Sequence, residues 1–170
     1  GLGIAQDPGL PDIYDCLINE VPVAEALRQS VHFPMLDVVP ASRDLAGAEI
    51  ELIERPNRER VLRNALEPVR DDYDYILIDS PPSLGLLTLN ALVASDSVLI
   101  PIQCEFYALE GLSQLLNTIR LVQRALNPDL NIEGVLLTMY DRRNNLSQQV
   151  EQDARDNLGD LVFRTKIPRN

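Results

Sequence analysis

Two kinds of side chain in this 170-residue sequence stand where they could do chemistry: one carboxylate, Asp79, and a few arginines toward the C-terminal end. Asp79 closes the apolar run Tyr75-Ile76-Leu77-Ile78 and opens Ser80-Pro81-Pro82-Ser83. A carboxylate that ends a run of strand residues is the Walker B pattern, in which Asp supports a hydrated magnesium ion beside nucleotide phosphates. The same residue can instead cap the turn into the next helix, a common use of Asp. A phosphoacceptor role would need further acidic residues near the first strand end, and none can be placed there. Arg142, Arg143 and Arg169 follow two later apolar runs. A guanidinium fork there can meet phosphates of nucleotide or of DNA, or remain a solvated loop charge.

What does not fit is equally informative. None of the eight glycines is followed by lysine, and Lys166, beside Ile167, is the only lysine in the sequence. A P-loop needs a glycine-rich turn closing on a lysine, so that backbone N–H groups and the ammonium cradle phosphates. None is expected in this chain. His32 is the sole histidine and has no evident partner for acid–base or metal work. Cys16 and Cys104 lack the paired spacing of a zinc site and read as free thiols of a reducing compartment. A net charge of -11 argues against a bulk electrostatic nucleic-acid binder but leaves room for a local basic patch. No apolar run approaches the roughly 20 residues that span a bilayer, and the N-terminus does not read as a signal peptide.

The elements that must position these residues follow from periodicity. Two short amphipathic pieces, Ile13–Asn19 and Val23–Gln29, open the chain, the first started by Pro11-Asp12. Residues 35–40 read as a short strand stopped by proline, residues 44–54 as a helix, and residues 57–69 as another. Tyr75–Ile78 and Val98–Ile102 are continuous apolar runs, which predicts strands buried on both faces. Helices are predicted over Leu84–Leu92 and Leu109–Leu126, a strand over Ile132–Met139, a helix over Leu146–Leu158 and a last strand over Leu161–Ile167. Strand and helix alternate, which predicts a doubly wound α/β fold, a mostly parallel sheet flanked by helices. Ligands of such sheets sit beyond the carboxyl ends of the strands, the rim to which Asp79 and the arginines belong. A composition 45% apolar and 24% charged suits one domain with one core.

The segment from Asp74 to Gly85, with Ala46–Leu52, Ile100–Glu105, Ala108–Leu112, Leu137–Asp141 and Ile167–Asn170, resembles the ParA/Soj family of partitioning ATPases, in the family's order over nearly the whole chain. Ser80 stands where many members have cysteine. The resemblance implies an ATP-dependent switch that dimerises around ATP and Mg²⁺, binds DNA without sequence preference and is stimulated by a ParB-type partner. It would serve chromosome or plasmid segregation on the nucleoid in the cytoplasm, with no membrane involved. It implies that Asp79 holds magnesium through water, and that Met139, Tyr140, Pro168, Arg169 and Asn170 lie at the adenine pocket. Arg142, Arg143 and Arg169 fall near positions that present arginines to DNA. Residues 1–170 are then expected to be a single incomplete nucleotide-binding domain. It would lack the N-terminal P-loop unit and the C-terminal helical end, and be inactive as an ATPase alone because the Walker A lysine is absent. The alternatives are a non-catalytic binding module from a truncated frame and a MinD-type membrane-associated ATPase.

Overall fold

A local signal in the sequence starts the first helix. Asp12 caps α1 (Ile13–Ile18): its carboxylate accepts the Tyr14 amide at 2.7 Å, while the Asp15 carboxylate returns to the Asp12 amide at 3.0 Å. This reciprocal box satisfies donors that the first turn would otherwise leave open. A second short helix, α2 (Val23–Ala26), follows Pro22, and α3 runs over Leu45–Leu52. The helix expected over residues 57–69 is broken into a 3₁₀ turn at Arg58–Arg60, α4 (Val61–Leu66) and a second 3₁₀ stretch at Glu67–Asp72. Beyond them lie α5 (Leu86–Ala94), β1 (Ser97–Gln103), α6 (Ala108–Ala125), β2 (Asn131–Tyr140), α7 (Asn145–Leu158) and β3 (Val162–Pro168). The computed structural model describes residues 9–81, 83–105 and 108–169. Among these, no helix is long and apolar enough to cross a membrane.

The chain divides into two compact units, Gly1–Ala94 and Ser95–Asn170. The first is helical. Cys16, Val23, Ala26 and Val69 form its buried cluster, with Ile13, Val39 and Tyr73 packed around it. Asn90 is buried inside this unit and fully used. Its amide donates to the carbonyls of Arg58 and Leu86, and its oxygen accepts the Leu62 amide at 3.1 Å, tying α4 to α5. Two expected strands of this unit are not strands. Residues 35–40 contribute a single antiparallel bridge, Arg28 to Val38. Tyr75–Ile78 has no ladder among the described residues, and Tyr75 and Leu77 face solvent, 86% and 91% exposed. An apolar run encodes a preference for burial; it cannot supply the neighbouring strand that would bury it.

The second unit is a three-stranded parallel sheet, β1-β2-β3, flanked by α6 and α7. Among the described residues β1 is bonded on one side only, and it buries one face, through Ile100 and Ile102, rather than the two expected. Pro101, which has no N–H to give, is tolerated in such an edge position. Leu137 and Ile119 are fully buried in the core of this unit. Burial of each such side chain contributes on the order of 2 kcal/mol. Gly134 is required by close packing. A Cβ there would lie 2.9 Å from both the Leu161 carbonyl and the Phe163 ring.

Candidate functional site

β2 and β3 deliver their last residues side by side. Tyr140 is in register with Pro168, and the Arg169 amide donates to the Tyr140 carbonyl at 3.2 Å. Between the pairs Leu137–Lys166 and Tyr140–Pro168, β2 carries one residue more than β3. Met139, with φ at 52°, absorbs the excess in a left-handed conformation that a non-glycine residue adopts at a cost. The bulge resets the alternation of the strand. Tyr140 is turned inward (8% exposed) and Met139 outward (36%).

Beyond Tyr140 the chain turns tightly through Asp141–Asn144. The Asn144 amide donates to the Asp141 carbonyl at 3.0 Å, and the Asp141 carboxylate accepts the Arg143 amide at 2.9 Å. That backbone bond, followed by the Arg143 guanidinium, holds the Asp141 carboxyl below its ordinary pKa against the opposing effect of desolvation. Asn144 then caps α7 through the Leu146 amide, and Gln148 donates to the Arg142 carbonyl. The turn is thus fixed from both sides while Arg142 and Arg143 stay exposed, Arg143 being 93% exposed although its guanidinium pairs with Asp141 at 3.4 Å.

This turn and the end of β3 enclose an open cleft of about 840 Å³ lined by Tyr140, Asp141, Arg142, Arg143, Arg164, Thr165, Lys166, Pro168 and Arg169. Five cations meet one carboxylate there, on a chain whose net charge is -11. The arrangement suits a multiply charged anion. Two of these lining residues are bonded to Glu151 on α7, which accepts from Lys166 at 2.5 Å, from the Tyr140 hydroxyl at 2.7 Å and also from Arg155 at 3.2 Å. Burial pushes the Glu151 carboxyl up, but these three donors outweigh it and bring it down to about 2. The Lys166 ammonium also lies 4.3 Å from the centre of the Tyr140 ring.

Of the residues expected from sequence, Tyr140, Arg142, Arg143, Pro168 and Arg169 converge on this cleft. Met139 is the bulge residue beside it, and Asn170 lies outside the described residues. Asp79 belongs to the first unit and is exposed just after Tyr75–Ile78. The loop after it is anchored to α5. The Thr88 hydroxyl donates to the Ser83 carbonyl at 2.5 Å, and Glu49 accepts the Leu87 amide at 3.2 Å. Gly85 permits that approach, since a Cβ there would lie 2.1 Å from the Glu49 carboxylate. Among the described residues no three His, Cys, Asp or Glu side chains form a group that could hold a metal ion. Arg164, Lys166 and Glu151 escaped the sequence reading. Arg164 and Lys166 share the even positions of β3 with Pro168, a period-2 signal that placed them on one face.

Comparison with known proteins sets this geometry in a family. Residues 1–132 match the model of an AAA domain family, AAA_31. The chain superposes on cobyrinic acid a,c-diamide synthase from Mycobacterium smegmatis, solved with an ATP analogue and magnesium, with a TM-score of 0.89 and 40% identity over 99% of this chain and 68% of that one. Apo McdA from Cyanothece, 21% identical, gives a TM-score of 0.90 and shares the fold. These likenesses define the class: a P-loop NTPase-like α/β protein. The chain is 56% identical to the chromosome partitioning protein ParA of Myxococcus xanthus, over 100% of its own length and 60% of that protein's. It is also 56% identical to the sporulation initiation inhibitor protein Soj of Bacillus subtilis, over 67% of that protein's length. The chain belongs to the ParA/Soj family of partitioning ATPases.

Proposed function

We propose that this chain is the central part of an ATP-dependent DNA-partitioning ATPase that dimerises around ATP, binds DNA non-specifically on the nucleoid and is stimulated by a ParB-type partner. The observation that carries this reading is the cleft at the end of β2 and β3, where five cations and Tyr140 gather on an otherwise acidic chain. Its cargo is a chromosome or plasmid.

In this reading Arg142, Arg143 and Arg169 meet DNA phosphates, and Tyr140, Met139, Pro168, Arg169 and Asn170 border the adenine. The exposed Asp79 carboxylate suits a magnesium ion held through its water shell, because solvent reaches it. Bound magnesium would spread the charge of the phosphates. This chain's own part is to orient the ion through Asp79 and to hold the base and the polyanion. The phosphate-cradling lysine is not among its residues.

The test pairs a fluorescent ATP analogue with duplex DNA. The analogue should bind, with magnesium, to the chain extended upstream by a relative's glycine- and lysine-containing loop, and not to the chain alone. Asp79→Asn should remove the magnesium dependence. On DNA, Arg143→Gln should make the dependence of log K on log salt shallower by about 0.9, the loss of one phosphate contact. Tight binding of the analogue by the unextended chain, or a DNA salt slope indifferent to Arg142, Arg143 and Arg169, sinks the corresponding half of the proposal.

A further inference from the structure

Of the five cations in the cleft, four arginines are exposed and one, Lys166, is held down. We infer that Glu151 is a positioning residue that withholds Lys166 from polyanion binding, so that the cleft grips phosphates with arginine alone. The inference rests on the polyanion reading of the cleft and adds to it which cations engage and what restrains the remaining one.

The restraint is built from both sides. The Lys166 ammonium donates to Glu151 at 2.5 Å and packs over the Tyr140 ring, leaving the side chain 27% exposed. Glu151 is 17% exposed and is itself fixed, by the Tyr140 hydroxyl and by Arg155 one helical turn along α7. Arg155 in turn donates to the Val162 and Phe163 carbonyls at the start of β3, which sets the height of α7 against that strand. To reach a phosphate, Lys166 must leave the aromatic face and strip a largely buried carboxylate of one donor, and a carboxylate deprived of its partner in such a place is costly. Among the described residues no arginine of the cleft is held by a carboxylate as buried as Glu151; Arg143, paired with the half-buried Asp141 at 3.4 Å, is itself 93% exposed. The consequence is a weaker and more readily reversed grip. Each phosphate contact is worth a salt slope of about 0.9, or roughly 3.5-fold in affinity between 50 and 200 mM salt.

Lys166 is the only lysine, so its accessibility can be read without ambiguity. The chain is treated with an N-acylating ester, and acylation at Lys166 is followed by mass spectrometry against the amino terminus as internal reference. Glu151→Gln should accelerate it at least fivefold. Arg155→Gln, which loosens the same junction but spares the carboxylate, should change it less than twofold. With a 24-base-pair duplex, E151Q should steepen the salt slope by about 0.9, and the double variant E151Q/K166Q should return it to that of the unsubstituted chain. Equal acceleration by E151Q and R155Q would mean general loosening and would overturn the inference. So would a double variant as steep as E151Q alone. A DNA slope unmoved by Arg143→Gln would defeat the DNA reading instead, and the acylation rates would still decide whether Glu151 masks Lys166.

Discussion

Acid should weaken the second unit, most strongly through the Glu151 carboxylate. The Glu151 carboxyl is lowered from 4.5 to about 2 in the folded chain by its three donors. A carboxyl whose folded pKa lies below its unfolded one stabilises the fold in full above the unfolded value. That stabilisation drains away as the pH falls through the folded value, here between about 4.5 and 2. Each pKa step is worth about 1.4 kcal/mol, so the loss on going from pH 6 to pH 2 approaches 3 kcal/mol. The side chain is only 17% exposed, so solvent screening takes little from this figure. The assay is urea unfolding followed by circular dichroism at a series of pH values, for the chain and for Glu151→Gln. Other acids titrate in both proteins, so the difference between the two isolates Glu151. With a urea dependence of about 2 kcal/mol per molar, the midpoint gap should shrink by about 1.5 M from pH 6 to pH 2. Parallel curves across that range would refute the argument, because they would mean that the three donors do not act on an ionised Glu151.

Three further outcomes follow from the same geometry. Met139→Val should lower the unfolding free energy by about 1–2 kcal/mol although valine favours strands, because φ at 52° excludes β-branched residues, whereas Met139→Gly should be neutral or stabilising in the same thermal-unfolding assay. Gly134→Ala should cost about 1–3 kcal/mol, since the Leu161 carbonyl and the Phe163 ring must both give way, and a further exchange to serine should cost no less. Leu77→Lys should leave thermal stability within about 0.5 kcal/mol and reduce concentration-dependent light scattering, because the side chain it replaces is 91% exposed.

How far the sequence could be read depended on which kind of information each residue carries. From Ser97 onward, strands and helices fall where periodicity places them, because each apolar stripe finds its partner within the same unit: Ile100 and Ile102 on β1, Leu137 on β2, Ile119 on α6. Arg142, Arg143 and Arg169 could be anticipated at one rim because parallel strands bring their carboxyl ends together. The bulge at Met139 could not, since a left-handed methionine leaves no compositional trace; it was the bulge that turned Tyr140 inward and Met139 outward. Glu151 was invisible for a different reason. On a helix it reads as one more solvated acid, and its three partners come from α7, β2 and β3, so only the folded unit brings them together.

The segment around Leu77 makes the physical limit clearest. Tyr75-Ile76-Leu77-Ile78 has the composition of a strand covered on both faces, yet among the described residues it has no ladder partner and stays in solvent. In the second unit β1 is likewise bonded, among the described residues, on the side of β2 alone and leaves Leu99 half exposed. Among the described residues each segment leaves backbone donors and acceptors without a strand partner and apolar side chains open to water, the kind of edge that folded sheets keep covered or short. Sequence specifies that demand residue by residue, through apolar type and alternation. Whether the demand is met depends on strands elsewhere, and the curated relatives, of whose length this chain spans 60% and 67% in the two compared, have further chain that could meet it. The Asp79 carboxylate rides on the first of these segments, so the rigidity with which it could present an ion depends on that same pairing. Hydrogen exchange at residues 75–79 should therefore slow in the upstream-extended protein and remain fast in this chain alone. Equal protection in both would separate the placement of Asp79 from the pairing of its strand.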